Sequence, residues 1–200
     1  EAVEAQVRTV STEAALLSSS IRQRWDERER RSVAEAAAGA GASLRVEVEE
    51  LPEAKTRLSL QGSLPEGLDG KLPRRFEIYA TNAEHLRQRF RGSPADFGAA
   101  CWALLLRYQA LFGPHDEGAG WHMAVTPRVA ESLAQEFGVE HELFASPLNC
   151  ALPGYCSIFP DVDVGFGSSG SFFAFCADTM ARQGGSFECN PPFEEHLIQL

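Results

Sequence analysis

The sequence predicts an α/β protein with a mainly parallel sheet in its C-terminal half. Two stretches, Leu44–Glu49 and Arg57–Gln61, alternate apolar and polar residues and therefore predict half-buried strands. Residues 97–112 are apolar nearly all round, which predicts a central helix. Between Thr126 and Ala145 a helical pattern is followed directly by a strand pattern, an order typical of sheets with parallel strands.

We divide the chain into a mixed helical and β accessory region, residues 1–112, and an α/β region, residues 113–200. The accessory region begins with a predicted helix from about Ser11 to about Ala38. Its two strands are joined by a turn at Leu51–Pro52–Glu53, so a hairpin is expected. The remaining elements follow in order: a loop at Gln61–Pro73, a strand at Arg75–Ala80, and a helix capped by Thr81 or Asn82 that ends near Arg91.

Sequence signals mark both ends of the central helix. Ser93–Pro94–Ala95–Asp96 is a capping box with proline at the first helical position, and Gly113–Pro114 ends the helix. A second helix begins at Thr126–Pro127 and stops at Gly138. Further predictions are a buried helix face with Val129, Leu133 and Phe137, a strand at Val139–Ala145, and core positions for Phe172, Phe173 and Phe175.

Composition limits the possible functions. No apolar run approaches the roughly 20 residues that cross a bilayer, so no membrane partner is expected. The net charge of −10 argues against extensive phosphate binding, although a site that touches few phosphates stays compatible with it. The five cysteines are odd in number and include no Cys-x2-Cys pair, which predicts neither a metal site nor a disulfide framework. Reduced thiols in an intracellular protein are the simplest interpretation.

The stretch Ser186–Phe193 contains the residues with the clearest chemistry. A short strand is predicted to end at Asn190, which is followed by Pro191, Pro192 and Phe193. The Asn190 side-chain oxygen and the Pro191 carbonyl can both accept hydrogen bonds from a planar amino group, and neither proline has a backbone N–H to donate. Phe193 offers a flat ring on which a base can stack. The set suits an exocyclic amine whose lone pair is aimed at a methyl donor, whereas the structural alternative is a strand that ends in a proline turn.

Several short motifs follow one another in the C-terminal part of the chain: Glu142–Cys150, Tyr155–Cys156, Phe159–Asp161, Phe166–Ser168, Gly185–Glu188 and Asn190–Phe193. In order and spacing they resemble the methyltransferase core of the phosphorylated CTD-interacting factor family. The resemblance is close from about Val125 to Phe193. It implies a Rossmann-like fold that uses S-adenosylmethionine (SAM) and methylates N6 of the 2′-O-methyladenosine beside the mRNA cap.

The resemblance also implies roles for individual residues. The catalytic residues would be Asn190, Pro191, Pro192 and Phe193. The cofactor would lie near the first strand and the loop beyond it, and the candidate cofactor-binding residues are Phe144, Ala145, Ser146, Pro147, Asn149, Asp161 and Phe166. In this assignment Asp161 and Asp163 flank the end of a second strand, where a carboxylate binds ribose hydroxyls, and Phe166 stacks on the cofactor adenine.

Partners follow from the same resemblance. Capped mRNA is the expected substrate, and the family implies a nuclear location. The RNA polymerase II C-terminal domain would bind through a region absent from this sequence, because no WW domain, the module that engages the polymerase tail, is recognised. A doubly wound fold is expected to need roughly three more strands after the Asn-Pro-Pro-Phe motif, so residues 113–200 are expected to form only the N-terminal part of a methyltransferase core.

Two alternatives stay open from the sequence. Other amine methyltransferases use related motifs, with Asp-Pro-Pro-Tyr typical of DNA adenine enzymes and Asn-Pro-Pro-Tyr of protein-glutamine enzymes. The second alternative is a non-catalytic fragment that binds RNA or a protein partner.

Overall fold

The structure of the chain is a computed structural model that describes residues 44–64, 70, 72–113, 123–180, 182 and 184–191. The chain divides into two compact units, Glu1–Ser43 and Leu44–Leu200, and every described residue belongs to the second. The helix predicted from about Ser11 lies outside the described residues, as do Pro192 and Phe193.

The first part of the described chain is an antiparallel sheet of three strands in the order β1-β2-β3. The strands are β1 (Arg45–Leu51), β2 (Lys55–Gln61) and β3 (Arg75–Tyr79). In β2, Thr56, Leu58 and Leu60 are buried while their neighbours are half-buried, as the alternating pattern predicts. The hairpin is confirmed, and Glu53 and Ala54 form its turn with φ of 62° and 52°.

Helix α1 (Ala80–Arg89) follows β3 without a loop, so its N-cap is Tyr79. The prediction that Thr81 or Asn82 caps this helix is therefore wrong. A 3-10 turn at Pro94–Asp96 leads into the long helix α2 (Phe97–Phe112). The predicted cap by Ser93 is confirmed, because Ser93 Oγ accepts a hydrogen bond from the Ala95 amide at 3.4 Å.

The main hydrophobic core contains side chains from β2, α1, α2 and a later 3-10 turn: Leu58, Leu86, Phe97, Cys101, Leu104, Leu105, Tyr108, Phe112 and Phe166. Helix α2 is central, as predicted, because it supplies most of these residues. The core joins side chains from both sides of position 112. The packing of the described residues therefore shows no break at the boundary expected between residues 112 and 113.

Helix α3 (Pro127–Phe137) has the predicted ends, with Gly138 in the left-handed conformation at φ 63°. Its buried face differs from the prediction. Ala130 packs into a small second cluster with Val139 and Leu152, whereas Val129 is 46% and Phe137 is 64% exposed. Of the three residues that the apolar pattern places on one face, Leu133 packs against this cluster while the other two do not, so the inward face is rotated from the predicted stripe.

A second sheet is parallel, as predicted, with the strand order β5-β4-β6. Its strands are β4 (His141–Glu142), β5 (Gly154–Tyr155) and β6 (Phe187–Glu188). The strand expected over Val139–Ala145 is therefore much shorter. Beyond β4 the chain still bonds to both neighbours, from the Leu143 amide to the Glu188 carbonyl at 2.9 Å and from the Ala145 amide to the Cys156 carbonyl at 3.0 Å.

The predicted strand end at Asp161 and Asp163 is wrong. Both aspartates lie in the short helix α4 (Pro160–Asp163), which begins at a proline and continues into a 3-10 turn at Val164–Phe166. Proline at the first helical position favours this helical start. The second parallel strand is instead β5, which precedes α4 in the chain.

The prediction that Phe172, Phe173 and Phe175 are core residues is also wrong. They lie on the short helix α5 (Phe172–Phe175), which continues as a π turn over Cys176–Met180. None of the three is fully buried, and Phe173 is 54% exposed. Helix α5 therefore presents an aromatic surface instead of an interior layer.

These elements make the described chain a mixed α/β structure. The Rossmann-like order implied by the resemblance stays a prediction. Within the described residues, no helix combines the length and apolarity needed to cross a bilayer. In the same part of the chain, no group of three or more His, Cys, Asp or Glu side chains is arranged to bind a metal ion.

Candidate functional site at the carboxyl edge of the parallel strands

The parallel strands bring two sequence motifs to one edge of the sheet. Strand β4 pairs with β6 so that Glu142 lies opposite Glu188. The last ladder bond runs from the Leu143 amide to the Glu188 carbonyl. Extended by two residues, this register brings Phe144 level with Asn190 on neighbouring strands, whose usual spacing is about 5 Å. The register therefore places Asn190 beside the start of the loop that the sequence assigns to the cofactor.

That loop is a tight turn stabilised by its own side chains. The Asn149 side-chain oxygen accepts hydrogen bonds from the Ser146 amide at 2.7 Å and from Ser146 Oγ at 2.9 Å. Ser146 Oγ in turn accepts from the Leu148 amide at 3.2 Å. Ser146 and Pro147 are buried, whereas Ala145 and Asn149 are half-buried. The turn is therefore preorganised, and the small Ala145 side chain leaves room near its backbone.

Helix α1 supports this turn from outside the sheet. Arg89 donates a hydrogen bond from Nη2 to the Leu152 carbonyl at 2.7 Å and lies at 3.5 Å from the Cys150 carbonyl. Its guanidinium carbon lies 5.4 Å from the centre of the Tyr155 ring. A single arginine thus contacts the segment after the turn and a buried ring of β5, a role that the sequence did not indicate.

A buried glutamate of β4 supports the same segment from the other side. Glu142 Oε2 accepts hydrogen bonds from the Ala151 amide at 2.8 Å and the Leu152 amide at 2.9 Å. Burial raises the pKa of Glu142, while the two amides and Arg89 oppose that shift. The pKa of Glu188 is also raised, by burial and by the neighbouring Glu142. In the sequence, the sign of this structural role was that Glu142 is a charged residue within a stretch predicted to be a strand.

A buried polar group links the central helix to the site. The Tyr108 hydroxyl donates to Asp163 Oδ2 at 2.9 Å, and the Phe159 amide donates to the same oxygen at 3.1 Å. Burial raises the pKa of Asp163 to about 6, opposed by hydrogen bonds from Ser157, Tyr108 and Phe159. Asp163 is fully buried. The hydrogen bonds that the structure describes for Asp163 are therefore made within the protein.

Two of the candidate cofactor-binding residues belong to other elements than the turn. Asp161 is exposed on α4 and forms an ion pair with Arg107 at 2.8 Å. Phe166 has 0% of its surface exposed and packs against Phe90 with ring centres 5.2 Å apart. The buried ring of Phe166 has no open face on which an adenine could stack. The other candidates are neighbours in the turn: Phe144, Ala145, Ser146, Pro147 and Asn149.

An aromatic surface adjoins the turn. The rings of Phe144 and Phe172 are 4.6 Å apart, and those of Phe172 and Phe173 are 5.2 Å apart. We call these three residues the aromatic shelf. The same helix is anchored on β4 by Phe175, whose ring stacks on His141 at 4.2 Å with an interplanar angle of 12°. The sequence analysis missed the shelf because it assigned the phenylalanines of α5 to the core.

The thiols near the site are unsuited to act as nucleophiles. Burial raises the pKa of Cys150 to about 12 and that of Cys156 to about 11. Cys189, between β6 and Asn190, is exposed, and its pKa is also raised by desolvation and by Glu188. At neutral pH these groups stay protonated and are therefore poor nucleophiles.

Comparison with known proteins identifies the family. A family model described as "Phosphorylated CTD interacting factor 1 WW domain" matches residues 71–200. The chain belongs to this family. The match covers the parallel strands, the turn and the Asn-Pro-Pro-Phe motif, and therefore includes every residue of the candidate site.

Two relatives in the family carry the name mRNA (2′-O-methyladenosine-N(6)-)-methyltransferase. The Homo sapiens protein is 50% identical over 98 residues, which are 48% of this chain and 13% of the human protein. The Mus musculus protein is 49% identical over 98 residues, with the same two coverages. The chain therefore spans only a small part of the length of these relatives.

The family description names a WW domain, which the sequence analysis did not recognise. The described residues in the matched range form β3, the helices α1 to α5 and the three parallel strands.

Proposed function

We propose that the chain is part of a SAM-dependent methyltransferase that acts on N6 of the 2′-O-methyladenosine beside the mRNA cap. The observation that carries the proposal is the place of Asn190, two residues after β6 and level with Phe144 of the preorganised turn in the register of the parallel strands. The names of the human and mouse relatives support the choice of reaction and substrate. In open α/β sheets, ligands bind at the carboxyl ends of the strands, which is where these residues meet.

The proposed role of the motif is to bind and orient the amine. The Asn190 side-chain oxygen and the Pro191 carbonyl would accept the two hydrogens of the adenine N6 group. These hydrogen bonds pull the nitrogen lone pair out of conjugation with the ring and direct it towards the methyl donor. Phe193 would stack on the base. Positioning and electrostatics would supply most of the rate, so no dedicated general base is needed.

Some of the candidate cofactor-binding residues, those of the turn, are placed where they could contact a cofactor. Phe144 and Ala145 are half-buried at the carboxyl edge, and the internal hydrogen bonds of Ser146 and Asn149 hold the turn in one shape. Bound SAM would supply the electrophilic methyl group. We propose contacts from Phe144, Ala145 and the turn, and we leave Asp161 and Phe166 out of the site.

Capped mRNA is the proposed substrate, and the RNA polymerase II C-terminal domain is a proposed partner. The family description refers to a factor that interacts with the phosphorylated CTD, which supports this partner and a nuclear location.

The test is methyl transfer from labelled SAM to capped RNA that begins with 2′-O-methyladenosine, using the full-length protein. Asn190→Ala should lower turnover by about a hundredfold or more, because the amine loses its main acceptor. Asn82→Ala is the matched control, since Asn82 is exposed on α1 outside the site. Undiminished turnover in folded Asn190→Ala protein would contradict the proposal, and transfer to DNA or protein instead of capped RNA would assign a different substrate.

A further inference from the structure

We infer that the aromatic shelf, Phe144, Phe172 and Phe173, stacks an unpaired base of the RNA next to the target nucleotide. The inference rests on the proposed function, because it places a second base beside the one that Asn190 would bind. It adds a contact outside the Asn-Pro-Pro-Phe motif and gives α5 a role in binding RNA.

The first argument is position. Phe144 follows β4 at the level where Asn190 follows β6, so the inner end of the shelf is beside the motif. From there the rings lead outward, 4.6 Å from Phe144 to Phe172 and 5.2 Å from Phe172 to Phe173. The shelf therefore begins at the candidate site and ends on the surface.

The second argument is exposure. Phe172 and Phe175 are half-buried, and their rings contact Phe144, two residues after β4, and His141 of β4, which orients α5 on the sheet. Phe173 contacts Phe172 but is 54% exposed, although it is a large apolar side chain. An aromatic ring that packs against a neighbouring ring and stays more than half exposed leaves a surface on which a base can stack.

The third argument is charge. The chain has a net charge of −10, and arginines on α1, on α2 and between them are already engaged. Arg89 bonds the Leu152 carbonyl, Arg91 the Gly167 carbonyl at 3.3 Å, and Arg107 pairs with Asp161. In this part of the described chain, few arginine side chains are therefore available to bind RNA phosphates. Stacking on aromatic rings provides affinity for a single strand without that charge.

The adenine of the cofactor is the other flat ring that the shelf could take. The turn that would contact the cofactor adjoins Phe144, whereas Phe173 is separated from Phe144 by the Phe172 ring. The outermost and most exposed ring therefore lies on the side away from the turn. This order favours a base of the RNA strand over the cofactor.

The test is equilibrium binding of the full-length protein to a capped RNA with 2-aminopurine as the nucleotide after the first 2′-O-methyladenosine. Stacking quenches 2-aminopurine fluorescence, so the wild-type protein should quench on binding. Phe173→Ala should lose the quench and weaken binding roughly tenfold, whereas Phe173→Trp should restore both. Phe137→Ala is the matched control, because Phe137 is also an exposed phenylalanine, 64% against 54% for Phe173, and lies on α3.

Each outcome decides between the possibilities. Absence of binding by the wild-type protein, or equal binding and quenching by wild-type and Phe173→Ala protein, would overturn the inference. So would a loss of SAM affinity in Phe173→Ala, measured by calorimetry, with RNA binding unchanged. If quenching depends on Phe173 but the wild-type protein transfers no methyl group, the shelf stands and the proposed function fails.

Discussion

Among individual residues, Asp163 is the clearest case of a side chain whose environment sets its chemistry. It is fully buried, and the donors that reach its Oδ2 are the neutral Tyr108 hydroxyl and the Phe159 amide. A buried carboxylate without a cationic partner is costly, which is why its pKa is raised to about 6. The folded protein therefore holds this proton more strongly than the unfolded chain does, and the carboxyl group is mostly protonated only below about pH 6.

This burial predicts a pH dependence of stability. An unfolded aspartate has a pKa of about 3.9, so the contribution of Asp163 is present at low pH and is lost as pH rises through about 4 to about 6. Asp163→Asn should remove that loss. Its free energy of unfolding, relative to that of the wild type, should therefore rise by up to about 3 kcal/mol between pH 4 and pH 7. Denaturant unfolding of both proteins at pH 4, 5, 6 and 7 measures the difference.

The control for this prediction is Asp161→Asn, on the same helix but exposed and paired with Arg107. Its unfolding free energy should follow the wild-type pH profile within about 0.5 kcal/mol. Parallel profiles for wild-type and Asp163→Asn protein would show that Asp163 ionises in the folded state as easily as in the unfolded state.

Among secondary-structure elements, the pairing of β5 with β4 depends on the absence of a side chain at Gly154. A Cβ there would overlap the His141 imidazole, whose Cε1 and Cγ atoms would lie at 2.9 and 3.1 Å. His141 is in turn fixed by stacking on Phe175 at 4.2 Å. The register that aligns the strand ends is thus coupled to the packing of α5.

A double-mutant cycle tests this coupling. Gly154→Ala should destabilise the protein by about 1–3 kcal/mol, because His141 must leave its place between β5 and α5. In the background of His141→Ala the same substitution should cost much less, since the clashing ring is gone. Denaturant unfolding of the four proteins gives the interaction energy. Equal costs in both backgrounds would mean that backbone strain, and not the imidazole, limits residue 154.

For the whole molecule, the decisive feature is the outer edge of the parallel sheet. Among the described residues, β6 pairs only with β4, so the backbone groups on its other side have no strand partner there. Phe187 is half-buried on the same strand. An open edge with apolar side chains favours association between copies.

We therefore expect the 200-residue chain alone to associate at micromolar concentration and to bind SAM weakly or not at all. Ser186→Lys, at the exposed residue before β6, should reduce association because a charge on an edge strand opposes pairing. Light scattering measures the association and calorimetry the binding of SAM. A monodisperse wild-type chain that binds SAM with micromolar affinity would show that neither expectation holds.

Local patterns predicted much of the fold. The hairpin, the central helix with its Ser93 cap, the ends of α3 and the short strand before Asn190 all appear as expected. Each depends on alternation, capping or a helix stop within a few residues of sequence, so a single sequence contains the information. The carboxyl ends of parallel strands point to the same edge of a sheet, so the neighbouring positions of the turn and Asn190 follow from two strand patterns, while the roles of these residues stay a prediction.

The tertiary structure decided the rest. The length of β4, the helical state of Asp161 and Asp163, the burial of Phe166 and the exposure of Phe173 all depend on which distant element packs against them. Apolarity alone made Phe166 and Phe173 equivalent in the sequence, yet one lies within the core and the other on the surface. The hydrophobicity of a side chain determines how strongly it favours burial. The limited interior volume beside α2 and β4 determines which of the apolar side chains are buried there.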